Sequence, residues 1–176
     1  IAAEDRRFMD HSGVDVRGIA RAVIVNYRAG TIAQGGSTIT QQVAKSFLGN
    51  EQTLDRKLKE AILAVRLESL LSKDQILEIY LNKIFLGSGA YGVRAAAARY
   101  FDKPLTELST GERAMLAGLA RAPSRDPPRR SEERARRRRN IVLAAMAAEQ
   151  FITPAELQTA RAEPITLATR TWDPSR

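Results

Sequence analysis

The sequence predicts a mainly α-helical protein. Apolar residues recur at three- and four-residue spacing along most of its length, and no convincing stretch alternates with period two. Helix-start signatures also repeat, as SKDQ at 72–75, STGE at 109–112 and TPAE at 153–156. The chain has 176 residues, 44% of them hydrophobic, enough for one domain that buries most of its apolar surface. Lys and Arg outnumber Asp and Glu by 28 to 20, so the net charge is +8, which points to a polyanionic partner: nucleic acid, an acidic membrane surface or a phosphate-bearing substrate. The absence of cysteine excludes disulfides, thiol catalysis and Cys-based zinc sites. The longest nearly apolar run, Ile141 to Ala148, is far short of the roughly 20 residues of a spanning helix. The chain opens on Ile1, inside a motif, and is therefore expected to be a segment of a longer protein.

In chain order, the first distinctive stretch is EDRRFMDHSGVD (4–15), in which Glu4, Asp5, Asp10, His11 and Asp15 surround Arg6, Arg7 and Phe8. Asp15 is positioned to cap a helix to about Arg28, with Gly30 just past its end. GTIAQGGS (30–37) is a small-residue loop, expected to be poorly ordered without ligand. Ser37 or Thr38 opens a helix to about Leu48, on which Thr38, Gln42 and Lys45 share one face. Thr53 begins the next helix, with an apolar stripe of Leu54, Leu58, Ala61, Ile62 and Val65. Glu60 lies off that stripe, between the cations Arg56 and Lys57 and the apolar Leu63, Ala64 and Leu67.

SKDQ caps a helix through about Phe85, and LGSGAYG (86–92) turns into the alanine-rich helix Val93 to Tyr100. STGE caps a helix ending near Ala122, and APSRDPPRR is a rigid loop. A basic helix from about Glu132 to Gln150 follows; its RRSEERARRRR run (129–139) reads first as a solvated face with i, i+4 pairs, second as an anionic-lipid contact and third as a nucleic-acid surface. TPAE starts a last helix, and the tail after Glu163 is irregular.

Taken together and in order, EDRRFMDHSGVD, GGSTITQQVAKSF (35–47), RKLKE (56–60), LEIYLNKIFLGSGAYGVRAAAARYF (77–101) and ERAMLAGLARAPSRDP (112–127) resemble the motifs of the peptidoglycan glycosyltransferases. This is the family 51 domain of class A penicillin-binding proteins and monofunctional transglycosylases. The resemblance implies one glycosyltransferase domain over 1–176, with a lysozyme-like, two-lobed helical fold. It also implies a longer, membrane-anchored parent acting at the extracytoplasmic face of the bacterial cytoplasmic membrane. The implied reaction polymerises lipid II onto a growing lipid-linked glycan strand. The acceptor hydroxyl attacks C1 of the donor, a β-1,4 bond forms with inversion, and undecaprenyl pyrophosphate leaves.

Such chemistry needs a base for the hydroxyl proton and positive charge for the departing pyrophosphate. The resemblance assigns Glu4 as the base and Glu60 as the second essential carboxylate, acting at the pyrophosphate side with a divalent cation (Mg2+ or Mn2+) as one option. Lys45, with Thr38 and Gln42, is the expected pyrophosphate site, and Arg56 and Lys57 extend the cationic cluster. Asp5 is read as structural or electrostatic support and Phe8 as shaping the pocket; His11 either orients its neighbours or touches substrate. No GxxxxGK[ST] occurs, so no nucleotide is expected, and no SxxK, SxN or KTG set of a transpeptidase is present. Expected partners are lipid II, the glycan strand, the membrane surface and other cell-wall synthesis proteins, with no nucleic acid. Two other classes remain: a lysozyme-like glycan-cleaving enzyme and a basic nucleic-acid-binding module.

Overall fold

The structure is a computed structural model that describes residues 1–31, 35–48, 53–121 and 131–169. It is mainly α-helical, as the periodicity predicts. Eight α-helices occur among the described residues: α1 Val16–Ala29, α2 Ile39–Lys45, α3 Leu54–Leu70, α4 Lys73–Lys83, α5 Val93–Phe101, α6 Thr110–Leu119, α7 Glu132–Ala148 and α8 Pro154–Ala162. No strand is found among those residues; a single antiparallel bridge joins Phe85 and Tyr91. The chain divides into two compact units, the first formed by Ile1 and Ala3–Tyr80, the second by Ala2 and Leu81–Arg176.

In the first unit, α2 packs against α3. Phe8, Ile39, Val43, Ala44, Ala64 and Ile76 are buried there, each large apolar side chain contributing about 1.5–3 kcal/mol by leaving water. The predicted start of α2 resolves in favour of Thr38, whose hydroxyl accepts from the Gln41 amide while Gln41 reaches back to the Thr38 amide, a complete capping box. The helix stops at Lys45 rather than Leu48. Asp15 stands at the cap of α1, but its carboxylate makes no cap bond and takes Arg7 Nη1 instead, at 3.0 Å.

The stripe predicted to bury α3 does the reverse. Leu54 is 91% exposed, and Leu58, Ile62 and Val65 are also exposed, while Glu60 and Ala64 are the buried residues of that helix. The cause lies in the small Ala64. Residue 13 crosses α3 so closely that a Cβ there would meet the Ala64 carbonyl carbon at 2.7 Å, and Gly13 adopts φ +96°. Only glycine permits both the approach and the conformation. On α1, likewise, the buried residues are the small Gly18 and Ala22, while Val16, Val23, Ile24 and Tyr27 are exposed.

In the second unit, α6 packs on α7 and both contact α8. Their core comprises Leu86, Ala90, Ala96, Ala97, Tyr100, Phe101, Leu108, Met115, Leu116, Leu119 and Ala135. Tyr100 sends its hydroxyl to the Leu86 carbonyl at 2.8 Å, tying α5 to the turn that precedes it. The SKDQ box is formed, but α4 ends at Lys83, and Phe85 pairs with Tyr91 instead of extending the helix. STGE and TPAE also form complete boxes.

The basic run is not wholly a solvated face. Arg136 pairs with Glu132 at 2.7 Å on the surface, but Arg139 is 2% exposed. Its guanidinium donates to the carbonyls of Glu163 (2.6 Å) and Arg161 (2.8 Å), closing the C-terminal end of α8. Burial pushes its pKa below the ordinary arginine value. The predicted loop at 122–130, the middle of the loop at 30–37 and the end of the tail lie outside the described residues.

Candidate active site

Every residue singled out in the motifs for chemistry falls in the first unit. Residues 1–13 form successive turns rather than a helix. The Glu4 and Asp5 amides both close on the Ile1 carbonyl, at 3.1 and 2.8 Å. Side chains, not a helical ladder, therefore fix the position of this segment.

Asp5 is the hub. Its carboxylate is buried, and Oδ2 accepts from the Ile39 amide at 2.9 Å and from His11 Nε2 at 3.0 Å. The first bond anchors the segment to the N-terminal turn of α2, where orphan amides favour an anion. His11 Nδ1 accepts from the Gly13 amide at 3.2 Å, so the imidazole carries its proton on Nε2 and donates to Asp5. Thr38 closes the loop from the other side, donating from Oγ1 to the Gly13 carbonyl at 2.6 Å. Phe8 is fully buried with its ring edge-on to His11. Asp5, His11, Phe8 and Thr38 are thus enclosed and already partnered, in a lattice that joins residues 5–13 to α2.

Glu4 stands beside this lattice, half-buried, and its Oε2 lies 3.5 Å from Gln42 Nε2. Gln42 is half-buried on α2, and Lys45, three residues on, is exposed. A polar face runs from the first-motif carboxylate along Gln42 to the exposed ammonium of Lys45 at the end of α2. Tyr80, on α4, lies within the 77–101 motif but carries no role assigned from the sequence. Its hydroxyl is buried with no hydrogen-bond partner among the described residues, and burial raises its pKa, with the charges of Glu4 and Asp5 adding to the effect. Nothing in the sequence pattern separates it from an ordinary core tyrosine.

Glu60 is 1% exposed and is paired on both oxygens, Oε1 with Arg56 Nη1 and Oε2 with Lys57 Nζ at 2.8 Å. Lys57 also donates to Ser37 Oγ at 2.9 Å, linking α3 to the residues just before α2. One carboxylate facing two cations leaves the cluster net positive, suited to an anion. It suits a divalent metal less well, since each Glu60 oxygen already accepts from a cation and no group of three metal-binding side chains occurs among the described residues. The residues present do not fit a protein-held cation at Glu60.

Comparison with known proteins adds the following. A family model described as transglycosylase matches residues 1–147. The chain is 54% identical over 168 residues to penicillin-binding protein 1A of Aquifex aeolicus, covering 95% of this chain and 23% of that protein. It is 52% identical over 166 residues to the proteins of the same name from Vibrio cholerae and Escherichia coli, covering 94% of this chain and 20% of each. The crystal structure of penicillin-binding protein 1A from Haemophilus influenzae superposes with a TM-score of 0.53 at 40% identity, over 74% of this chain and 17% of that one. The chain thus spans about a fifth of the length of these relatives.

Proposed function

The chain belongs to the transglycosylase family, the peptidoglycan glycosyltransferases, and we propose on that premise that it polymerises lipid II with Glu4 as the general base. The 4-hydroxyl of the acceptor GlcNAc attacks C1 of the lipid-linked MurNAc. Its proton passes to the Glu4 carboxylate as the C1–O4 bond forms. The bond from C1 to the pyrophosphate oxygen breaks, its electron pair leaves with undecaprenyl pyrophosphate, and the new linkage is β-1,4 with inversion. Lys45 meets the charge that develops on the leaving group. The Arg56–Lys57–Glu60 cluster contributes at the same side, with Glu60 holding its two cations in place. Gln42 orients the Glu4 carboxylate; Asp5, His11 and Thr38 hold the segment that carries it.

The observation that carries this reading is the 3.5 Å approach of Gln42 to Glu4, which joins the first-motif carboxylate to the helix face ending in Lys45. Glu60 is committed to its two cations, and each step above is assigned to this chain's own side chains. The exposed apolar residues of α1 (Val16, Val23, Ile24, Tyr27), interleaved with Arg17, Arg21 and Arg28, suit contact with a bilayer surface rich in anionic headgroups. No helix among the described residues is long and apolar enough to cross a membrane. We place the reaction at the extracytoplasmic membrane face, where lipid-linked substrate would be presented.

The test is incubation of the intact protein with lipid II, with and without EDTA, and separately with purified sacculi. Polymer from lipid II in both the presence and absence of chelator is the expected result. Soluble muropeptides from sacculi, with no polymer from lipid II, would replace this reading with glycan cleavage. Lys45→Ala should weaken affinity for moenomycin, which the family binds at its donor side; unchanged affinity would count against the role given to Lys45.

A further inference from the structure

A second cluster in the first unit plays no part in the mechanism above. Lys73, the first residue of α4, donates from Nζ to the His11 carbonyl at 2.6 Å and to Glu68 Oε1 at 2.7 Å. The same ammonium stands over the Phe8 ring, 4.6 Å from its centroid. Glu68 Oε1 also accepts the Thr40 hydroxyl, at 2.6 Å. Both charged side chains are largely out of water, 19% and 7% exposed.

One ammonium therefore grips the backbone and an aromatic ring of the segment that follows Glu4. Through Glu68 it also reaches the first turn of α2, the helix of Gln42 and Lys45. Residues 1–13 form isolated turns rather than a continuous helix, so contacts from outside the segment decide where the Glu4 carboxylate sits. The Asp5 lattice is one link to α2; Lys73–Glu68–Thr40 is a second, reaching α2 at a different residue.

Stability alone does not account for it. A buried ion pair roughly breaks even against well-packed apolar side chains of similar volume, so its worth lies in geometry. The start of α4 does not require Lys73 either, because the Ser72–Gln75 box already caps that helix. We propose that Lys73 and Glu68 are positioning residues that hold residues 4–11 in register with α2, so that Glu4 meets its substrate proton while Lys45 faces the leaving group. This inference rests on the reading of Glu4 as the base.

The geometry separates this role from a simple charge pair. Exchanging the two charges (Glu68→Lys with Lys73→Glu) restores an ion pair, but glutamate at 73 cannot donate to the His11 carbonyl. Lys73→Arg retains donors and charge.

The experiment measures kcat and KM for lipid II in the intact protein, together with amide hydrogen exchange over residues 4–15. Lys73→Met should lower kcat by on the order of 10²-fold, with KM changed by no more than about twofold, and should speed exchange over 4–15 but not in α6 or α7. The charge exchange should stay as impaired, and Lys73→Arg should recover most of the rate. Near-normal kcat in Lys73→Met, full rescue by the charge exchange, or unchanged exchange over 4–15 would each overturn the proposal. Should Lys73→Met not fold, Thr40→Val removes one bond of the same chain and must give a smaller loss of the same kind, in kcat rather than KM. If the unaltered protein makes no polymer, the glycosyltransferase reading fails, and the exchange measurement still decides whether this second link exists.

Discussion

Glu60 invites a substitution that separates its structural from its chemical role. In Glu60→Gln the charge is lost, and Arg56, whose side chain is 14% exposed, is left without its counter-charge. Removing one partner of a buried pair costs roughly 3–5 kcal/mol. The second pair adds little, because Lys57 is 49% exposed and such pairs contribute about 0–1 kcal/mol. The glutamine oxygen can still accept one hydrogen bond, so the lower end applies, about 3 kcal/mol. For a chain of this size that corresponds to a fall in Tm of about 6–12 °C. Urea unfolding followed by helix circular dichroism measures it. The double variant Arg56→Leu/Glu60→Leu removes both buried charges and should regain most of the lost stability while polymerising no lipid II. A loss under about 1 kcal/mol in Glu60→Gln would refute the buried-pair reasoning, and an active double variant would remove the cluster from the mechanism.

Three further outcomes follow from single features. Gly13→Ala places a Cβ against the Ala64 backbone at a positive φ, so it should destabilise by at least about 2 kcal/mol, read by thermal unfolding, and slow polymerisation by displacing the Asp5–His11 lattice. Arg139→Met strips donors from the carbonyls of Arg161 and Glu163 and should cost about 2–3 kcal/mol, with faster amide exchange confined to α8 and its surroundings. The Glu156 carboxyl is held below the ordinary carboxylate value first by the Thr153 amide and then by the Thr153 hydroxyl. Its contribution to α8 is thus complete above the unfolded-state value and is lost as pH falls through the lowered one. NMR titration should show Glu156 among the last carboxyls to protonate, an effect that Thr153→Ala should diminish.

Much of the helical order was legible because caps and periodicity are local. The SKDQ, STGE and TPAE boxes all form, and Gly30 ends α1 in the left-handed conformation its position suggested. What failed was the facing of helices. On α3 the large residues of the predicted stripe (Leu54, Leu58, Ile62, Val65) are exposed, because the contact is made through Ala64 and Gly13, and close backbone approach favours small side chains over large ones. A period of 3.6 reveals two faces but not which one a neighbour occupies. Arg139 was hidden for a related reason: within a run of arginines, nothing local marks the one that meets a helix end 22 to 24 residues away.

The site was legible to the extent that its residues belong to motifs. Glu4 and Gln42 are 38 residues apart yet lie 3.5 Å from one another, a proximity only the family pattern suggested. Within that pattern the structure separates enclosed members (Asp5, Phe8, His11, Thr38, Glu60) from more open ones (Glu4, Gln42, Lys45). Lys73 was readable only as part of a cap, since its hold on the His11 carbonyl spans 62 residues and leaves no periodic trace.

The central claim is that one half-buried carboxylate takes the acceptor proton. Single-turnover polymerisation of lipid II by Glu4→Gln, with its unfolding midpoint measured alongside, tests it most directly. Glutamine keeps the contact with Gln42 but cannot accept a proton. The rate should fall by on the order of 10³-fold or more, with stability within about 1 kcal/mol of the parent. A variant that polymerises at near the parental rate would contradict the account.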